Sequence, residues 1–268
     1  MTALSSAEAD LALLTAAARE AGALALRHFG RQIRHWDKPA GAGPVSEADL
    51  AVDRFLQDLL RRARPEYGWL SEETPDDPAL REHERIFVVD PIDGTRAFIA
   101  GRPGWCVALS VVERGAVTAA AAFLPVTDAL YAAALGRGAT LDGAPLRPSA
   151  RREPEGAHVL TGANQMAAEH WPGGAPRVER TFVPSLVHRL CQVADGQADA
   201  ALTFVPAWEW DIAPGALIAA EAGCTVSDGE GRAPVFNAPD PRLPGIVVAP
   251  PALHAALMQR RRAVPPRR

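Results

Sequence analysis

Ile86-Phe87-Val88-Val89-Asp90-Pro91-Ile92-Asp93-Gly94-Thr95-Arg96-Ala97-Phe98-Ile99 is the stretch on which this chain's fold and chemistry turn. Its first four residues are a short apolar run rich in β-branched side chains, the pattern of a buried strand, and the run stops where the first carboxylate appears. Pro91 has no N–H for further ladder pairing, and Gly94 allows a sharp turn before Thr95–Ile99, which reads as the opening of a helix. Asp90 and Asp93 therefore stand at a strand exit. Hard oxygen ligands and free backbone N–H groups converge there, the first suited to Mg²⁺ and the second to a phosphate. The same Asp-Pro-x-Asp-Gly pattern also satisfies a plain turn, since Asp, Pro and Gly are the usual turn formers. Taken by itself, the stretch leaves both readings open.

Two further acidic segments bear on that choice. Leu70-Ser71-Glu72-Glu73-Thr74 follows a helical pattern and a Pro/Gly break; it is either another source of carboxylates or a solvated loop. Trp208-Glu209-Trp210-Asp211-Ile212-Ala213-Pro214-Gly215 ends a strand read at Ala201–Val205 and begins a helix at Asp211. There Asp211 is expected to cap the helix, with Pro214 tolerated in the first turn. A capping carboxylate still has lone pairs to offer a cation.

Together these segments resemble the inositol monophosphatase family of lithium-sensitive, Mg²⁺-dependent phosphomonoesterases, a group that includes 3′(2′),5′-bisphosphate nucleotidases and histidinol phosphatases. Lys38 with Pro44-Val45-Ser46-Glu47-Ala48-Asp49 is similar to the family's first motif, with Ser46 where Thr is more usual. Ser71-Glu72-Glu73 is similar to its acidic pair, Asp90–Thr95 to its signature, and Trp210-Asp211 with Glu221-Ala222-Gly223 to its second signature. The resemblance spans nearly the whole chain. It implies an α/β (α+β) fold, a layered αβαβα sandwich.

The resemblance also implies a site. Glu72, Asp90 and the carbonyl of Ile92 would hold one Mg²⁺, and Asp90, Asp93 and Asp211 a second, with room for a weaker third near Glu72. Two such ions suit ester hydrolysis, one lowering the pKa of an attacking water and the other stabilising the leaving oxygen. Thr95, oriented by Asp49, would position that water together with Glu72, and the N–H groups of Gly94 and Thr95 would bind the phosphate. Lys38 would approach from its loop, although a solvated lysine is the ordinary alternative.

Substrate choice is less marked. Inositol phosphatases of the family carry an acid several positions before Trp-Asp, whereas Leu202–Pro206 contains none. Glu209 beside Trp210, and Arg189 after Ser185, resemble the bacterial nucleotidase branch, although Ser185-Leu186-Val187 replaces its Gly-Ser-Ser. Adenosine 3′,5′-bisphosphate is thus the leading expectation, with Arg189 on the second phosphate and Trp208 on the base. An inositol-1-phosphatase or broad sugar-phosphate phosphatase is the alternative, and a non-catalytic binder of phosphorylated ligands is an alternative of another class.

Composition sets the remaining bounds. The chain has 268 residues, 48% of them hydrophobic, which is enough for one extended domain. A net charge of −4 gives no reason to expect a nucleic-acid partner. Cys106, Cys191 and Cys224 show no disulfide or zinc spacing. No apolar run is long enough to span a bilayer, and no targeting segment is visible, so a cytoplasmic protein acting on a small phosphorylated substrate is expected, with a homodimer left open. Helices plus an antiparallel sheet are expected over 1–147 and alternating α/β elements over 148–260, followed by a basic tail, solvated and frayed, over 261–268. In detail, Ser5–Glu8 reads as a capping box, the Lys38–Pro44 segment as a mobile loop, Val107–Val112 with Ala116–Phe123 as a hairpin, Gly136-Arg137-Gly138 as a turn, and His188 as a packed residue.

Overall fold

Side-chain alternation along Arg85–Asp93 sets up the layering. Phe87 and Val89 point into one apolar cluster and Ile86 and Val88 into another, all fully buried, so this strand is covered on both faces. The computed structural model describes residues 5–39 and 43–262. In it, Arg85–Asp93 is the second strand of a seven-stranded sheet ordered Gly68–Ser71, Arg85–Asp93, Cys106–Glu113, Ala116–Leu124, Ala129–Ala134, Ala139–Leu141, Ala144–Pro145. Neighbours are antiparallel except the first pair, which is parallel. Gly68–Ser71 was expected only as an apolar step beside an acidic loop; it is a buried edge strand, and the sheet is accordingly mixed. The expected hairpin forms through Arg114-Gly115, both with positive φ (50° and 84°), the turn that follows strand twist.

The described residues form seven α-helices: α1 (Ser6–Leu26), α2 (Glu47–Ala63), α3 (Pro78–Arg81), α4 (Thr95–Ile99), α5 (Leu186–Ala194), α6 (Ala213–Ala222) and α7 (Pro251–Arg262). Helix α1 starts at the expected capping box between Ser5 and Glu8. It and α2 cover one face of the seven-stranded sheet with Leu14, Ala18, Val52 and Leu56. The approach is close enough that a Cβ on Gly22 would lie 2.6 Å from the Phe123 ring. Helices α5 and α6 pack on the opposite face and separate it from a five-stranded sheet ordered Glu179–Thr181, His158–Leu160, Ala200–Thr203, Ile246–Ala249, Thr225–Ser227. Helix α7 closes the far side of that sheet with Leu253, Leu257 and Met258. The result is the αβαβα sandwich.

Lys38–Gly43 connects a hairpin, His35–Asp37 with Pro44–Ser46, in which Lys38 N–H donates to the Gly43 carbonyl at 2.8 Å. The expectation of a mobile loop falls on residues 40–42, which lie outside the described set. One expectation needs correction. The arginine run begins inside α7, where Arg261 donates to the carbonyls of Gly229 and His170 and lies over Phe204, and Arg260 pairs with Glu155. Solvation alone does not describe these arginines. Residues 263–268 of the expected tail lie outside the described set. Among the described residues no helix is long and apolar enough to cross a membrane.

Candidate active site

Asp90 and Asp93, three positions apart, would project to opposite faces of a regular strand. A register shift between Asp90 and Asp93 breaks that alternation, and Pro91 explains why pairing is interrupted there. Oxygens of Asp90, Asp93 and Asp211 thereby come within 4.8 Å of one another. Asp211 arrives on a 3₁₀ turn, Glu209–Asp211, ahead of α6. The expectation that it caps α6 is not met: Ile212 is the cap residue and no side chain bonds the first turn. Its carboxylate joins the acidic cluster instead.

Each carboxylate is held differently. Asp90 Oδ1 accepts from Ile92 N–H at 2.9 Å, while its Oδ2 is buried without a hydrogen-bond partner. Asp93 accepts from Ser185 Oγ at 2.6 Å and from the N–H groups of Val187 and Leu186 at 2.8 and 3.3 Å, so the first turn of α5 is built onto it. Burial, and then the neighbouring carboxylates, push Asp90 and Asp211 well above the ordinary range. Asp93 rises only to about 6, because its helix-end donors oppose burial. Such a cluster is unfavourable without a cation, and the orphaned Asp90 Oδ2 is an oxygen aimed at one.

Around this centre, Thr95 Oγ lies 3.3 Å from Asp49 Oδ1 and 3.1 Å from the Ile92 carbonyl. Asp49 is fixed in turn by the N–H and hydroxyl of Ser46, the capping box of α2. Gly94 takes φ 101° and leaves the start of α4 without a side-chain cap; a Cβ there would come within 3.2 Å of the Gly104 carbonyl and Trp105. Lys38 pairs with the acidic segment beside this centre. Its Nζ lies 2.7 Å from Glu72 and 2.8 Å from Glu73, and although burial opposes its charge, the two carboxylates keep its pKa raised. Glu73 is pushed up to about 7 by burial and by Glu72. Glu72 lines the same cavity as the three aspartates, about 290 Å³, although it does not share their tight grouping.

The structure places the two proposed substrate contacts less simply. Arg189 donates to the carbonyls of Val183 and Pro184 and stacks on Phe182, 4.5 Å from the ring centroid, so its guanidinium is occupied within its own loop. Trp208 stacks on Trp210 at 4.8 Å, nearly parallel, under the Arg242 guanidinium. The pair walls a second cavity of about 520 Å³ that also reaches Lys38 and Glu72. Glu209 faces away: it is fully buried and accepts from the N–H groups of Asn237 and Ala238. His188 is half-buried, and burial lowers its pKa to about 4.

No part at this centre was read from the sequence for Ser185, which donates to Asp93, for Asp53, or for Arg96 and Arg102, which line the cavity of the three aspartates. Asp53, buried in α2, accepts from Ser71 Oγ at 2.5 Å and Thr74 Oγ at 2.7 Å and so grips the Glu72-Glu73 segment from both sides. Its place one helical turn beyond Asp49, on the same face, was the available signal.

A five-layered sandwich that gathers buried carboxylates at the exit of a central strand, beside an uncapped glycine turn, defines a metal-dependent phosphoric monoester hydrolase. The chain belongs to the inositol monophosphatase family, whose model matches residues 7–265. It is 32% identical over 237 residues to an inositol-1-monophosphatase of Rhizobium meliloti, covering 82% of this chain and 86% of that one. It is 31% identical over 229 residues to the Nus factor SuhB of Xylella fastidiosa, covering 82% of each. Identity to the 3′(2′),5′-bisphosphate nucleotidase CysQ of Escherichia coli is 30% over 196 residues, covering 72% of this chain and 79% of the relative. The crystal structure of the extragenic suppressor protein suhB from Bartonella henselae superposes with a TM-score of 0.80 at 25% identity, covering 95% and 98% of the two chains. Mg²⁺ dependence is a property of the family.

Proposed function

We propose that this phosphomonoesterase hydrolyses adenosine 3′,5′-bisphosphate to AMP and phosphate. The donor set fits Mg²⁺: three all-oxygen ligands lie close together, and one of them, Asp90 Oδ2, is buried without a partner. Asp90, Asp93, Asp211, Glu72 and the Ile92 carbonyl would hold two ions. When bound, these would supply Lewis-acid polarisation of the phosphate and activation of water.

The chain's own groups do the rest. Asp49, locked by Ser46, holds the Thr95 hydroxyl so that its oxygen presents a lone pair to an attacking water, which Glu72 orients from the other side. Backbone N–H groups at Gly94 and Thr95 meet the phosphate oxygens as charge develops on them. Lys38 balances Glu72 and Glu73.

The observation that carries the nucleotide reading is the cavity of about 520 Å³ that joins Glu72 to the indole of Trp208. An aromatic wall of this kind suits a planar base, and no acid stands over Leu202–Pro206 to receive polyol hydroxyls. A panel of adenosine 3′,5′-bisphosphate, inositol 1-phosphate and histidinol phosphate tests the proposal. The bisphosphate should give the highest kcat/KM, and Trp208→Ala should lower that value selectively. A preference for either of the other two would overturn the nucleotide assignment.

A further inference from the structure

We infer that Arg96 and Arg102 form a subsite for a second anionic group on the substrate, and that this enzyme therefore takes phosphomonoesters carrying another phosphate or comparable anion. The inference rests on the phosphomonoesterase reading above and adds the residues that select within it. Its basis is local backbone geometry. Helix α4 ends in a Schellman turn: Gly101 takes φ 63°, its N–H donates to the Phe98 carbonyl at 3.0 Å, and Arg102 N–H donates to the Ala97 carbonyl at 2.9 Å. The chain doubles back at Gly101, and Arg96 from the helix and Arg102 from beyond the turn line the cavity that contains Asp90, Asp93 and Asp211.

Among the described residues, neither arginine makes an ion pair or a side-chain hydrogen bond, although other arginines such as Arg81, Arg85 and Arg232 are paired with carboxylates. A lone exposed arginine is ordinarily just solvated. Two arginines that both line one cavity of about 290 Å³ beside a carboxylate cluster, with no side-chain partner among the described residues, are a different matter. The acidic cluster repels every anion that its own cations do not hold, so a second anionic group can enter only where positive side chains offset that field. Guanidinium groups suit the role because their forked donors match phosphate oxygens.

Arg189, which the sequence suggested for this purpose, has Nε and one terminal nitrogen committed to the carbonyls of Val183 and Pro184. Its stacking instead steadies Phe182, an exposed ring on the rim of the same cavity. In a nucleoside 3′,5′-bisphosphate the base and the 5′-phosphate leave the ribose on either side of the 3′-phosphate. Glu72 correspondingly lies between an aromatic cavity and the one that holds the two arginines.

The experiment compares the parent with Arg96→Ala, Arg102→Ala and the double variant on adenosine 3′,5′-bisphosphate and on p-nitrophenyl phosphate, which has no second anion. The ratio of kcat/KM for the bisphosphate to that for the simple ester should fall about tenfold or more for each arginine, as for a lost hydrogen bond to a charged group. Equal losses on both substrates, or no loss on either, would overturn the subsite while leaving the phosphatase assignment intact. If the parent releases phosphate from no ester, the assignment itself fails. Calorimetric titration with adenosine 3′,5′-bisphosphate in Mg²⁺ then decides the subsite separately: weaker binding by the double variant supports it, and equal or absent binding in the two proteins overturns it.

Discussion

Replacing Asp90 by asparagine should make the metal-free protein more stable and the Mg²⁺-loaded protein less stable, so that the two proteins exchange rank when metal is added. The amide oxygen can keep the bond that Asp90 Oδ1 accepts from Ile92 N–H at 2.9 Å. The amide nitrogen then stands where Oδ2 has no partner and turns a repelled acceptor into a donor facing Asp93 and Asp211. At 4.8 Å and an effective dielectric of 20, each fully ionised neighbour costs Asp90 about 3.5 kcal/mol. Burial and mutual repulsion raise the pKa values of all three carboxyls and so lessen that cost, and a net gain of about 1–3 kcal/mol is the reasonable scale. That corresponds to about 2–5 °C in Tm for a chain of this size. With Mg²⁺ at a hundred times its Kd the parent gains about 2.7 kcal/mol, most of which the variant should forgo. Thermal melts of both proteins in EDTA and in Mg²⁺, alongside phosphate-release assays, check this. A lower Tm than the parent in EDTA, a Mg²⁺ shift of parental size, or near-normal turnover at saturating Mg²⁺ would refute the account of Asp90 as a repelled ligand.

Because Glu73 and Asp93 hold protons to about 7 and 6 in the folded protein, above their ordinary values, the folded state binds more protons than the unfolded chain. Stability of the EDTA-treated protein should therefore rise as pH is lowered from 8 to 6; a flat or falling Tm over that window would count against the cluster. Activity should require Mg²⁺, be lost in EDTA, and be inhibited by Ca²⁺ because the larger ion does not reproduce octahedral geometry. Inhibition by Li⁺ is expected from the family resemblance and is measured in the same assay. Ser185→Ala removes both the cap of α5 and the 2.6 Å bond to Asp93, and should cost about 1–2 kcal/mol in urea unfolding while lowering kcat. Glu209→Gln should destabilise by about 1–3 kcal/mol, since one amide oxygen replaces two carboxylate oxygens that serve Asn237 and Ala238. Its substrate preference should match the parent's, and a changed preference would refute a purely structural role for Glu209.

What the sequence disclosed and what it withheld divide along a physical line. Asp90 and Asp93 stood out because they mark an abrupt change of local chemistry, carboxylates where an apolar run ends, whereas Glu72 and Asp211 were picked out by the family resemblance of their segments. The layering could be found because strand alternation and helix spacing are local periodicities. Ser71 was read as part of an acidic loop because four residues, Gly68–Ser71, are too few to show a period. The role of Asp211 at α6 was misjudged because capping depends on a φ,ψ pair at one residue, and a carboxylate at a helix start has the same letters whether it turns to the helix or to a neighbouring acid. Glu209 shows the same limit more sharply. Its position beside Trp210 carried a resemblance to the nucleotidase branch, yet its partners, Asn237 and Ala238, lie almost thirty residues away and donate through backbone atoms that no side-chain pattern reveals. Arg96 and Arg102 were hidden for the opposite reason. Nothing in either letter is unusual, and only the left-handed turn at Gly101 brings them to one cavity. The carboxylates at the strand exit are thus visible in the sequence, whereas the residues proposed to select the substrate depend on how short connections fold. Family membership accordingly fixes the chemistry of this chain more firmly than it fixes the molecule on which that chemistry acts.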